Sequence, residues 1–129
     1  MSETSTNVRS ALTWFEIPTA DFDRARRFYE TILETTLNER PFGSSRIAVF
    51  PYQQPGVGGC ITESSPARPS DDGVVIYINV DGRFDRTLQL IESASGRVVV
   101  PKTVLPEGMG SMAHMIDSEG NRVGLHAMS

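Results

Sequence analysis

His114 and His126 are the only two histidines in the chain. They stand in neighbouring strand-like stretches, Ser111 to Ile116 and Arg122 to Met128, which are joined by the turn signal Gly120-Asn121. Two imidazoles on adjacent strands, together with a carboxylate, can exchange protons near neutral pH as a general acid/base pair. The same set can also supply nitrogen and oxygen donors to a divalent ion. The carboxylate that strand alternation brings forward is Glu16. Within Leu12 to Pro18, Phe15 and Ile17 share one face, and Trp14, Glu16 and Pro18 share the other. If Glu16 lines a cavity, burial raises its pKa; a solvated strand residue is the plain alternative. His126 falls on the same face as Gly124, while the register of His114 stays open. Both histidines also have a purely structural reading as partly buried side chains.

Trp14 and Tyr77 suit stacking on a flat or apolar ligand, and each carries a polar handle. Asn79 shares the face of Tyr77 in Val74 to Val80, opposite Ile76, Ile78 and Val80. Arg46 offers a cation to an anionic group or to solvent. Arg24, Arg26 and Arg27 read as the wet face of a helix, and Cys60 as a small buried apolar residue.

The elements that position these residues repeat. Phe22-Asp23-Arg24 recurs as Phe84-Asp85-Arg86. Each triplet follows a strand-like run and opens a stretch with helical spacing: Phe22, Ala25, Phe28 or Tyr29 and Ile32, then Phe84, Leu88 and Ile91. Asp21 and Asp81 stand where an N-cap carboxylate belongs. Strand candidates follow each helix: a short piece near Thr36 to Arg40, Ser45 to Phe50 and Val57 to Thr62, then Gly96 to Val100 and the two histidine strands. Residues 101–110 read as a long loop. The pattern is β-α-β-β-β twice. It predicts an α+β fold of two βαβββ modules forming a curved, half-open mixed sheet, with helices on the outer face and a cavity on the inner one. The expected organisation is a flexible tail over 1–9 and a single domain over 10–129, with modules 10–63 and 74–129 joined by a Pro/Ser/Asp-rich linker over 64–73.

Composition narrows the class. The 129 residues carry 12 Lys+Arg against 16 Asp+Glu. A mildly acidic chain without a basic run points away from nucleic acid and from anionic lipid. A single cysteine excludes an intramolecular disulfide. No apolar stretch reaches membrane-spanning length, and the first ten residues lack the apolar core of a signal peptide. The expected location is the cytoplasm.

The run from Trp14 to Tyr29, WFEIPTADFDRARRFY, resembles the opening strand and D-x-x-R-x-x-x-F-Y helix of the vicinal oxygen chelate (glyoxalase/bleomycin-resistance/dioxygenase) superfamily. Ile116 to Leu125, IDSEGNRVGL, is similar to its closing D-P-x-G-N-x-x-E-L hairpin. The resemblance implies paired βαβββ modules, a homodimer and, in many members, a divalent metal that binds vicinal oxygens of a substrate. Residue by residue, the metal ligands are missing. The ligand position seven residues before the capping Asp is Trp14, the second-half counterpart is Val75, the closing Glu is replaced by Gly124, and the remaining position falls on Gly58 or Gly59. The expectation is therefore no cofactor and no standard metal site. The chain is then expected to bind a small organic molecule in a concave cavity, as in bleomycin-resistance proteins. The alternative is a lyase or isomerase that uses His114, His126 and Glu16, with a nonstandard divalent metal as an option. A pocket-free interaction module is a third reading.

Overall fold

The computed structural model describes residues 10–129; the tail expected over 1–9 lies outside the described residues. The first module runs β1 (Trp14–Pro18), α1 (Phe22–Leu33), β2 (Asn38–Phe42), β3 (Ser45–Val49) and β4 (Gly58–Thr62). The second runs β5 (Tyr77–Asn79), α2 (Phe84–Ser93), β6 (Arg97–Val104), β7 (Ser111–Ile116) and β8 (Arg122–Ala127). Each module forms a four-stranded mixed sheet, ordered β1-β4-β3-β2 and β5-β8-β7-β6. In each sheet the first and last strands of the module pair in parallel, and the remaining neighbours are antiparallel.

The amphipathic stripes set the helices. Phe22, Ala25, Phe28, Tyr29, Ile32 and Leu33 of α1 are buried and pack with Ile17, Phe50 and Ile61. In α2 the buried set is Phe84, Thr87 and Ile91, with Leu88 at its margin. Thr87 is tolerated in the core because its hydroxyl donates to the Arg83 carbonyl at 2.9 Å.

The repeated triplet builds the same constellation twice. Phe22 and Phe84 are buried, and a cation lies over each ring: Arg46 at 4.5 Å and Lys102 at 5.5 Å. Asp23 and Asp85 pair with those same cations. Arg24 and Arg86 instead reach across to the other module, to Glu119 and Glu34.

Three expectations change. Asp21 caps α1 by accepting from the Arg24 amide at 3.0 Å. Asp81 does not cap α2: Gly82 adds a turn at φ 77°, Arg83 becomes the N-cap, and the Asp81 carboxylate accepts from the Met128 amide. The strand expected over 74–80 is shorter, at three residues. β6 is longer than expected and runs to Val104, leaving a connection that holds one 3-10 turn over Pro106–Gly108.

The modules meet along their helices and through a buried polar cluster. Tyr29 Oη donates to Asp117 Oδ2 at 2.6 Å. Asn121 Nδ2 donates to the same oxygen at 3.0 Å and to the Pro18 carbonyl at 2.9 Å. Glu119 accepts from the amides of Ala20 and Asp21 at 2.9 and 2.7 Å, so the last hairpin seats on the start of α1.

Candidate functional site

Sheet register decides which side chains share the faces turned away from the helices. In the first sheet Trp14 pairs with Gly58, Glu16 with Cys60, Cys60 with Val49 and Val49 with Asn38. A concavity of about 470 Å³ lies on this face, lined by Trp14, Asn38, Arg40, Ile47, Val49 and Tyr52 among others. Tyr52 arrives from the loop after β3. Its ring lies 2.4 Å from where a Cβ on Gly58 would stand, and it meets Trp14 edge to face at 6.2 Å. Glu16 is exposed on this face. The Cys60 thiol beside it is buried and pushed up to about 11, by burial first and then by the Glu16 charge, so it stays protonated and unreactive.

The second sheet repeats the arrangement. Tyr77 pairs with Gly124 and Asn79 with His126, while His114 also stands opposite Gly124 and Met112 opposite His126. The Tyr77 ring lies 2.3 Å from the Cβ position of Gly124. A concavity of about 450 Å³ is lined by Tyr77, Asn79, Leu105, Met109, Met112 and His126, with Asp81 and Met128 at its edge. Both volumes fall within the range of about 300–1,000 Å³ typical of small-molecule sites.

The hydrogen bonds fix the state of both imidazoles. His114 Nδ1 lies 3.2 Å from Arg122 Nη1, which can only donate, so Nδ1 is an acceptor. Burial, followed by the Arg122 charge, lowers the His114 pKa and keeps the ring neutral at pH 7. The proton therefore sits on Nε2 and is donated to Tyr77 Oη at 2.8 Å. This orients the Tyr77 hydroxyl as a donor and leaves His114 with no free nitrogen. His126 Nε2 donates to the Met109 carbonyl at 2.7 Å, which ties the loop after β6 to the sheet face.

Trp14 and Glu16 thus share one concave face, and Tyr77, Asn79, His114 and His126 share the other. The chain does not bring Glu16 to the histidines. No three of His, Cys, Asp or Glu among the described residues come together as a metal-holding group. Arg46, expected as a ligand contact, sits on the opposite, helix-covered face. Its register partner there is Pro41, and Glu63, Asp23 and Glu39 surround its guanidinium at 2.9, 3.2 and 3.6 Å.

The donor set can be compared with a divalent ion directly. Val75 precedes β5, and Tyr77 holds the place opposite Gly124 that Trp14 holds opposite Gly58. The four positions are an indole, a phenol already bonded to His114, and two glycines whose side-chain space is filled by aromatic rings. A hard divalent cation takes several carboxylate, carbonyl or imidazole donors, and these residues do not fit one.

Among the lining residues that strand alternation could not indicate are two from loops, Tyr52 and Met109. Loops carry no alternation to follow. Gly58 was the available signal for Tyr52, because an interior strand glycine asks for a neighbour to cover it.

Residues 11–45 match the family model described as bleomycin resistance protein-like N-terminal. The sequence matches no curated protein. Among solved structures, a glyoxalase/bleomycin resistance protein from Albidiferax ferrireducens superposes with a TM-score of 0.67 at 15% identity, over 92% of this chain and 99% of that one. A genomically encoded fosfomycin resistance protein from Listeria monocytogenes gives 0.64 at 16% identity, over 93% and 91%. An E144Q mutant of Zea mays glyoxalase I gives 0.67 at 18% identity, over 91% of this chain and 46% of the maize enzyme.

Proposed function

We propose that this chain, which has the fold of the vicinal oxygen chelate superfamily, binds a small organic molecule against its concave faces without the divalent metal common in that superfamily. One observation carries the reading. Trp14, Gly58 and Gly124 stand where the resemblance implies metal ligands, and aromatic rings fill the two glycine spaces, Tyr52 at Gly58 beside Trp14 and Tyr77 at Gly124. These pairs replace charged donors with flat apolar walls edged by single polar groups, the pattern of a site that stacks on a ligand. Trp14, Phe42, Tyr52 and Tyr77 are all more than a third exposed, so a homodimer that closes one chain's concave faces with the other's is part of the same proposal.

Trp14 is the only tryptophan, which makes it a reporter on the site itself. The test is a titration of Trp14 fluorescence with the neutral flat probe 1-aminoanthracene, before and after treatment with EDTA. The expected result is saturable quenching with the same Kd in both. Tyr52→Ala should weaken binding about tenfold, whereas Glu16→Ala should leave it largely unchanged. Binding that vanishes with EDTA and returns with Zn or Ni ions overturns the metal-free reading. A monomer in sedimentation equilibrium at micromolar concentration removes the homodimer from it.

A further inference from the structure

A third cavity, of about 390 Å³, runs along the seam between the two modules. We infer that this seam cavity binds an organic carboxylate, with its apolar body between the modules and its carboxyl group on Arg83. This goes beyond the function proposed above: the cavity shares Tyr52, Tyr77 and Asn79 with the concave faces, but its charged group, Arg83, lines neither of them. Phe15 and Ile78, which line it, are helix-side residues of β1 and β5, and Leu12, Phe50 and Ile76 complete an apolar wall.

Arg83 is the charged residue in that lining. Its Nε and Nη2 are buried and have no hydrogen-bond partner among the described residues. Those two N–H groups form one edge of the guanidinium, the edge that receives a carboxylate through two parallel hydrogen bonds. The chain uses this edge on a carboxylate three times, twice through two parallel bonds (Arg24 and Arg86) and once with both N–H groups on a single oxygen, Glu63 Oε2 (Arg46). Arg24 presents it to Glu119 at 2.8 and 3.0 Å, Arg46 to Glu63 at 3.3 and 2.9 Å, and Arg86 to Glu34 at 3.2 and 3.0 Å. Arg83 has the same edge turned inward and no carboxylate on it. Glu34 is near enough to feel its charge, but the Glu34 carboxylate is occupied by Arg86.

The surroundings add to the demand for an anion. Arg83 is the N-cap of α2 and makes no side-chain cap there, so a cation stands at the positive end of a helix. The first-turn carboxylate, Asp85, faces Lys102. Two buried N–H groups without partners are costly unless an acceptor joins them. The apolar walls select an acid with a hydrophobic body over a small inorganic ion.

The experiment is calorimetric titration of the full chain with 3-phenylpropionate and with its neutral amide, 3-phenylpropionamide, at constant ionic strength. Wild type, Arg83→Met and Arg83→Lys are compared, with thermal melts of each. The expected result is that the acid binds and the amide does not. Arg83→Met should lose about tenfold or more in affinity, and Arg83→Lys, which keeps the charge without the fork, should fall between. Without ligand, Arg83→Met should melt no lower than wild type, because two buried N–H groups without partners have been removed. The inference is overturned if wild type gives no heat with the acid, or if the amide binds equally. An equal response to acetate or chloride means an adventitious ion only and overturns it too. So does a lower melting temperature of Arg83→Met with its affinity for the acid unchanged, which makes the guanidinium structural. If Arg83→Met does not fold, Arg83→Lys decides the matter.

Discussion

A glycine inside a strand leaves a gap on the pleated surface, and in this protein both such gaps on the concave faces are filled by a ring. Tyr52 covers Gly58 and Tyr77 covers Gly124. The fit is close enough to test at the level of one methyl group. Gly124→Ala puts a Cβ 2.3 Å from the Tyr77 ring and should destabilise the fold by about 1–3 kcal/mol. Tyr77→Ala clears that space, so the double variant should regain much of the loss. A coupling energy of about 0.5–3 kcal/mol is expected from urea unfolding of the four proteins. Strictly additive effects would show that the ring does not occupy the glycine's side-chain space. The facing of these residues was legible in the sequence, because β-strand alternation is strict: Trp14, Glu16, Tyr77, Asn79 and His126 fall where a period of two puts them. The fate of Arg46 was not legible. A cation two strands away from a helix gives no sign of which carboxylates will surround it until the helix is docked.

The two helices begin differently although their opening triplets are identical. α1 carries Asp21 as its cap and Glu119 on the amides of Ala20 and Asp21 just before its first turn, whereas α2 has an arginine at its N-cap. Burial works to raise the Glu119 carboxyl. The hydrogen bonds from Arg24, the Asp21 and Ala20 amides and Ser118 outweigh it and hold the group below the ordinary carboxylate value. A carboxyl lowered in the folded state stabilises the fold above its unfolded pKa, and that contribution is lost as pH falls through the folded value. Glu119→Gln should therefore be less stable than wild type at neutral pH, and the gap should close as pH is taken toward about 3. Denaturant midpoints measured at several pH values decide this, and a gap independent of pH would deny the carboxylate its role. The Asp21 cap was readable because a carboxylate directly preceded a periodic stretch. The start of α2 was not legible, because Gly82 at positive φ shifts it by two residues and Met128, just after β8, takes the Asp81 carboxylate instead. Duplication hides such divergence, since a repeated triplet preserves the helix and not its entry.

At the scale of the whole molecule, the two modules are held together by polar groups that neither module satisfies alone. Tyr29 belongs to the first module and its partner Asp117 to the second. Burial, and then Asp117, raise the Tyr29 phenol well above its ordinary value. The sign is opposite to that of Glu119. The contribution is fully present below the unfolded pKa of about 10 and is lost as pH rises through the folded value. Tyr29→Phe should cost about 1.5–3 kcal/mol near neutrality, the worth of a hydrogen bond to a charged group. It should also show a shallower alkaline decline than wild type. Equal slopes above pH of about 10 would count against the assignment. The seam cavity with Arg83 belongs to this scale as well. Strand and helix periodicity legibly gave two βαβββ units, but their docking creates the cavity, so local pattern alone could not reveal it. The seating of the last hairpin on the first helix has a consequence for how the chain is made. Arg24 and Glu119 are 95 residues apart in sequence. At about 5–20 residues per second a ribosome takes about 5–19 s to cover that interval. Throughout it the nascent first module has its own Asp21 cap and lacks the Glu119 carboxylate, so the finished packing at the start of α1 waits on the translation of the second module's last hairpin.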